Sequence, residues 1–273
     1  MAEISVKDKL RFTILGCGSS PGVPRPNGDW GSCDPLEPKN LRYRTSLLVE
    51  RVSANGKTSV VIDTGADFRS QAIDAGITKI DGVVYTHPHA DHIHGIDDLR
   101  TFGIGQNKLI DIYSDAATLN RLHEAFGYCF KTPKGSNYPP ILRAHQIGPY
   151  DHFKINGAGG ELEFQSHLQT HGDIHSLGFR MGSVAYCTDV SAFPEESLTK
   201  LFDLDVLIIG ALQYQPHPSH FSLSQALDWI DYLRPKRAIL THMHIYLDYR
   251  TVLRETPDYV EPAYNGLQFE VDC

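Results

Sequence analysis

The chain is short of three things that would mark a secreted, membrane-spanning or nucleic-acid-gripping protein. It has five cysteines in 273 residues. Cys17, Cys33, Cys129, Cys187 and Cys273 are scattered without paired spacing, which argues against a disulfide framework and suits reduced thiols in a cytoplasm. No apolar run approaches the roughly 20 residues that cross a bilayer. The stretch Met1-Ala2-Glu3-Ile4-Ser5-Val6-Lys7-Asp8-Lys9 alternates charges where a secretion signal would carry an apolar core. The expected location is therefore cytoplasmic, away from membranes. Positive charge is also short, with 25 Lys and Arg against 33 Asp and Glu, a net charge of −8. Each phosphate that a basic residue neutralises adds affinity for a nucleic-acid backbone, so this balance disfavours a long polyanion and favours a small substrate.

What the chain has in excess is histidine, 14 in all, the side chain most used to bind transition metals. Hydrophobic residues at 41% and charged residues at 21% are otherwise ordinary for a globular enzyme. With no repeat, low-complexity tract or linker, one domain spanning residues 1–273 is expected.

Alternating apolar patterns predict strands at residues 11–15, 45–50, 59–63 and 82–85, with a hairpin turn at Asn55-Gly56. Further strands are predicted at 162–165, 176–181, 184–188, 206–210 and 237–240. Helical spacing predicts a helix at 67–75, with Phe68, Ala72 and Ile73 on one face, and another at 116–126 followed by a loop to about residue 150. The clearest helix covers 222–233. Ser222 and Gln225 form its capping box, and Leu223, Ala226, Leu227, Ile230 and Leu233 form its apolar face.

His87, His89, Asp91 and His92 follow directly on the strand Gly82-Val83-Val84-Tyr85. Two histidines two residues apart on an extended segment point the same way and can share one ion. Asp91 and His92, in the turn beyond, can face a second. Imidazole nitrogen with carboxylate oxygen suits zinc, manganese or iron. Cys187, two residues before Asp189, reads as a small buried hydrophobe, and His94 as part of the next helical turn.

The run His87-Pro88-His89-Ala90-Asp91-His92 resembles the signature of the metallo-β-lactamase superfamily, whose α/β fold is a four-layer αββα sandwich with its metals at one edge. The resemblance implies two divalent ions, zinc or manganese. His87, His89 and His171 would hold one, Asp91, His92 and His242 the other, and Asp189 would bridge them. Asp63 would orient the ligand loop from behind. The segment Pro218-Ser219-His220-Phe221-Ser222 resembles the histidine-plus-helix motif of the phosphodiesterase branch, which includes RNase Z and PhnP-type cyclic phosphodiesterases. The resemblance makes His220 the catalytic candidate that serves the leaving oxygen, with His217 as the neighbouring competitor, and counts Asp91 as catalytic as well as a metal ligand.

Gly16-Cys17-Gly18-Ser19-Ser20-Pro21-Gly22-Val23-Pro24 and His171-Gly172-Asp173-Ile174-His175-Ser176-Leu177-Gly178-Phe179-Arg180 resemble PhnP-type motifs more closely. They imply hydrolysis of a small cyclic phosphate, of the phosphoribosyl 1,2-cyclic phosphate type, or of a nucleotide-like diester. Ser176 and Arg180 either touch substrate or brace the hairpin. The structural zinc of that type is not matched, because its loop supplies only Cys33, and Ile245, one place beyond His244, stands where its histidine would be. An RNase Z-like activity would need a basic arm, and residues 131–143 offer only Lys131, Lys134 and Arg143. Thioester or lactam hydrolysis on the same scaffold and a vestigial, non-enzymatic site remain as alternatives. The expected partner is a small phosphorylated substrate, with a homodimer left open.

Overall fold

The computed structural model describes residues 8–273; the charge-alternating Met1 to Lys7 of the amino-terminal stretch lies outside them. In chain order the first half comprises β1 (Lys9–Gly16), β2 (Ser46–Ser53), β3 (Gly56–Ile62), α1 (Phe68–Asp74), β4 (Gly82–Val84), α2 (Ala90–Ile93), α3 (Leu99–Gln106), β5 (Ile110–Ser114), α4 (Ala116–Phe126) and β6 (Leu142–Gln146). The second half comprises β7 (His152–Gly157), β8 (Gly160–His171), β9 (Ile174–Met181), β10 (Val184–Cys187), α5 (Glu195–Leu198), β11 (Val206–Gly210), α6 (Leu223–Leu233), β12 (Arg237–Thr241), α7 (Tyr249–Glu255), β13 (Val260–Pro262) and β14 (Gln268–Asp272).

Two mixed seven-stranded sheets result, ordered β14-β1-β2-β3-β4-β5-β6 and β13-β12-β11-β10-β9-β8-β7. Strand periodicity decides which core each side chain enters. Leu47, Val49, Val60, Ile62 and Val84 face the second sheet, where Phe164, Phe179 and Ile208 meet them. Their neighbours Leu48, Val61 and Val83 face the opposite way, under Phe68, Leu99, Leu119 and Leu122 of the outer helices. On the far side α6 lays Leu223, Ala226, Ile230 and Leu233 onto the second sheet. The result is the helix–sheet–sheet–helix sandwich. Among the described residues no helix is long and apolar enough to cross a membrane.

Several expectations are corrected. In α1 the buried face is Phe68, Gln71 and Ala72, while Ile73 is exposed, because the 3.6-residue period carries position 73 out of the stripe. The β2–β3 hairpin pairs Ser53 with Gly56 across Ala54-Asn55, one residue earlier than predicted. Residues 127–150 are not all loop, since β6 lies there and pairs with β5. Asp91 and His92 sit on the short helix α2, not in a turn. β6 and β7 are edge strands whose polar, half-exposed sequences carry little alternation.

β3 and β4 run parallel, as do β10, β11 and β12. β8 joins β10's direction through two antiparallel pairings with β9. Their carboxyl ends therefore open on one edge of the sandwich, where ligands of parallel sheets ordinarily bind. Backbone contacts join the sheets there: Leu177 N–H donates to Thr86 O at 2.9 Å, and Met243 N–H to Cys17 O at 2.8 Å.

Beneath this edge His167 and Cys187 are fully buried against each other, Nε2 to Sγ 3.4 Å. A side chain at Gly178 would meet His167 Nε2 at 2.2 Å, so glycine there makes room for the ring. Burial pushes the His167 pKa down to about 3. The unfolded ring, near 6.5, binds a proton that the folded one refuses. Stability therefore falls as pH drops below about 6.5, by at most about 1.4 kcal/mol per pH unit, until the folded pKa is reached. Urea titrations between pH 7 and 4 should show a shallower acid loss for His167→Gln than for the parent. Parallel slopes would refute this account.

Candidate metal centre

Seven side chains converge where the strand ends open. His87 follows β4, His89 caps α2, and Asp91 and His92 lie on its first turns. His171 ends β8, Asp189 follows β10, and His242 follows β12. The ligand atoms of His87, His89 and His171 lie within 4.8 Å of one another, and so do those of Asp91, His92 and His242. Asp189 lies between the two groups. Its Oδ1 is 3.8 Å from His87 Nε2 and 3.7 Å from His171 Nε2, and its Oδ2 is 3.2 Å from both His92 Nε2 and His242 Nδ1. All but His89 are buried.

The histidine tautomers follow from fixed acceptors behind them. Asp63 is fully buried, and its Oδ2 lies 2.7 Å from His92 Nδ1, which must carry the proton toward it. The same carboxylate accepts Thr86 N–H at 2.8 Å and the Thr86 hydroxyl at 2.8 Å. Having given its hydrogen to Asp63, Thr86 Oγ1 accepts from His87 Nδ1 at 2.9 Å. His171 Nδ1 donates to Ser219 O at 2.7 Å. His87 and His171 are thus left presenting bare Nε2 lone pairs to the centre, and His92 turns its Nε2 the same way.

These residues fit a cation. His92 Nε2 is buried with no hydrogen-bond partner, an arrangement that is costly for a polar atom unless something else meets it. His89 Nδ1 stands 3.0 Å from His87 Nε2 and 3.2 Å from His171 Nε2, nitrogens gathered around one point. Burial first, then the neighbouring histidines, holds the His87 pKa well below its ordinary value. Burial opposes a charge on His92 as well, but the Asp189, Asp91 and Asp63 carboxylates outweigh it and raise that pKa. The pocket's negative charge thus asks for positive charge at its middle. Zinc, manganese and iron all accept this donor set.

The backbone is held in an uncommon conformation where these groups turn inward. Asp63, Asp189 and His242 have positive φ values of 62°, 48° and 55°, a region sparsely used by residues with a side chain and often found at functional sites. Neighbours brace them. Ser46 Oγ donates to Asp63 O at 2.8 Å, Ser176 Oγ to Asp189 O at 2.8 Å, and Thr45 Oγ1 lies 2.8 Å from His242 Nδ1. Neither Ser46 nor Thr45 carries a spacing signal in the sequence; only the fold brings them here. Gly65 is required because any side chain would strike Asp91 O at 2.1 Å.

His220 reaches the same centre. Its ring stacks on His242 at 4.8 Å and 14°, and its Nδ1 is 3.8 Å from Asp189 Oδ1. Burial, then the charge of His242, pushes its pKa down to about 3. His217 is exposed on the rim, its ring 5.2 Å from that of His220, and its Nδ1 accepts Ser219 N–H at 3.3 Å. Ser176 is buried as a brace, and Arg180 donates to the carbonyls of Gly182, Lys200 and Phe202, so both turn to the backbone instead of the centre. His94 is exposed beside Phe126. Cys33 and His244 face arginines: Arg42 Nη1 is 3.9 Å from Cys33 Sγ, and Arg25 Nη2 is 2.8 Å from His244 Nε2.

Comparison with known proteins gives this geometry its family. The β-lactamase superfamily domain matches residues 58–243. The chain belongs to that superfamily. A diphosphatase of the PhnP family shares 32% identity with this superfamily member at a TM-score of 0.86, over 97% of this chain and 98% of its own. The human short form of tRNase Z shares the fold, at 17% identity and a TM-score of 0.63, over 95% and 98% of the two chains. An octanoyltransferase of Porphyromonas gingivalis (strain ATCC BAA-308 / W83) is 31% identical over 267 residues, 96% of this chain. The chain spans about half of that relative, 52% of its length.

Asp63→Asn should weaken zinc or manganese retention by about 10–100-fold, the usual effect of losing a group that orients a ligand histidine. Metal content after dialysis against graded chelator measures this. Parental retention in the folded variant would remove Asp63 from the site's support.

Proposed function

We propose that the protein is a dinuclear phosphodiesterase acting on small cyclic phosphates or nucleotide-like phosphodiesters. The observation that carries this reading is His220. It is a part-buried imidazole on the ligand side of the centre, stacked on His242 and facing Asp189, and its ligand atom lies within 4.8 Å of those of His171 and Asp189. His87, His89 and His171 would hold one ion and Asp91, His92 and His242 the other, with Asp189 between them. Bound ions would activate water, polarise a phosphoryl oxygen and offset the charge gathering at phosphorus.

The chain's own residues do the rest. Asp63 and Ser219 hold the ligand histidines in the required tautomers, and the brace from Ser176 fixes Asp189. Burial of the inward faces excludes bulk water and strengthens each electrostatic contact. His220 is placed to donate a hydrogen bond to the departing oxygen. Support comes from the PhnP-family diphosphatase, similar along nearly the whole chain. The acidic total charge fits a small substrate better than a tRNA, and residues 131–143 carry just Lys131, Lys134 and Arg143 as bases.

The octanoyltransferase name of the half-matched relative favours one second reading, hydrolysis of an acyl thioester on the same scaffold. The two readings separate cleanly in a substrate panel. The metal-loaded protein should hydrolyse bis-p-nitrophenyl phosphate and leave octanoyl-coenzyme A and precursor tRNA intact. His220→Ala should lose about 100-fold or more in kcat, the scale of a lost acid–base partner, with metal content unchanged. Full activity in that variant removes His220 from the chemistry, and turnover of the thioester alone selects the second reading.

A further inference from the structure

A cavity that the reaction as described leaves unused lies between two loops that follow strands of the second sheet. It measures about 550 Å³, and Ser32, Gln213, Tyr214, Gln215, Tyr246, Asp248 and Thr251 lie in its lining. That volume is in the range of small-molecule pockets. Both of its main walls continue segments that build the centre. Gln213, Tyr214 and Gln215 belong to the loop that runs from β11 to His220, and Tyr246 follows His242 on the next loop. The walls are pinned together by His244 N–H donating to Leu212 O at 2.9 Å, and Gln213 O accepts from Leu223 N–H of α6 at 2.8 Å. His244 links cavity and centre. It interacts electrostatically with His242 and His217, and its ring packs against Tyr246 at 4.7 Å.

Two tyrosine rings border the cavity. Tyr214 and Tyr246 are 40% and 44% exposed, yet each is held in place. Tyr214 Oη donates to Glu255 Oε2 at 2.7 Å, and Tyr246 rests on His244, itself held by Arg25 at 2.8 Å. Aromatic faces fixed in advance lose little conformational freedom when a ligand stacks on them. Gln213 and Gln215 add carboxamides, which offer donor and acceptor together and suit the edge of a heteroaromatic base. The Gln213 amide already donates to Gln215 O at 3.3 Å, and a purely aliphatic leaving group would leave the two rings without a stacking partner.

We propose that this slot binds the leaving-group half of the substrate, and that this half is a nucleoside whose base lies against Tyr246 and Tyr214. The proposal rests on the phosphodiesterase reading and narrows its substrate class from phosphoribose-like to nucleotide-like esters. His217 and His220 sit on the loop between the slot's wall and α6, and His244 ties that neighbourhood to Tyr246.

The test uses binding of product-like ligands to the zinc-loaded protein, with adenosine monophosphate and ribose 5-phosphate compared by calorimetry. The parent should bind the nucleotide at least about tenfold more tightly, since stacking on one aromatic ring contributes on this scale. Tyr246→Ala should erase most of that preference by weakening the nucleotide alone, and Tyr246→Phe should restore it. Gln215→Ala, at an exposed position, should lower the preference without disturbing the fold. Equal affinity of the two ligands for the parent, failure of both to bind, or equal weakening of both by Tyr246→Ala would each overturn the slot. Hydrolysis of bis-p-nitrophenyl phosphate, run in parallel, keeps the two ideas apart. Its absence with the nucleotide preference intact would sink the phosphodiesterase reading and leave the slot standing.

Discussion

One carboxylate governs the centre from behind. Asp63 accepts three hydrogen bonds, from His92 Nδ1 and from the backbone and hydroxyl of Thr86. Through that hydroxyl it also sets the tautomer of His87. A single buried anion therefore aims a histidine of each ligand group. Such an ion is tolerable inside a protein only with full hydrogen-bonding, because an unpaired buried charge is strongly destabilising. The contacts that satisfy Asp63 are the same ones that prepare its neighbours to meet a cation.

The arrangement carries strain as well as charge. Asp63, Asp189 and His242 are held at positive φ, and each is steadied by a hydroxyl from a different strand or loop, Ser46, Ser176 and Thr45. Two sheets meeting at one edge make this affordable, since their cores fix the strand ends before the ligand loops begin. The helices on the outside contribute in unequal ways. Short α2 presents Asp91 and His92 on consecutive positions, whereas α6, anchored by its capping box, holds the loop that delivers His220.

Much of this was legible in the chain. Strands such as β3 and β9 are readable as short apolar runs because both faces of each are buried over much of their length. The ligands could be picked out because each follows an apolar run, and the cluster from His87 to His92 is local. β6, β7, β13 and β14 escaped notice because edge strands are short or keep polar side chains on solvent and lose the two-residue signal, and the interior strand β5 escaped too, its alternation limited to Ile110 and Ile112. Gln71, which the predicted apolar face of α1 does not include, donates its amide to Arg44 O at 2.7 Å and belongs to the buried face of that helix.

The sequence by itself determined the residue types at the centre, their order and the layered α/β scaffold, because periodicity and motif spacing are local properties of a chain. Only the tertiary structure decided which atoms face one another. Thr45 meets His242, Ser219 orients His171, and Asp189 stands between two groups drawn from both halves of the molecule. These contacts join positions far apart in the chain, so no local pattern encodes them. The tyrosine-walled slot belongs to the same class. Its rings are unremarkable in sequence and become a site when two loops, tied by a backbone hydrogen bond, bring them to the edge where the strands end.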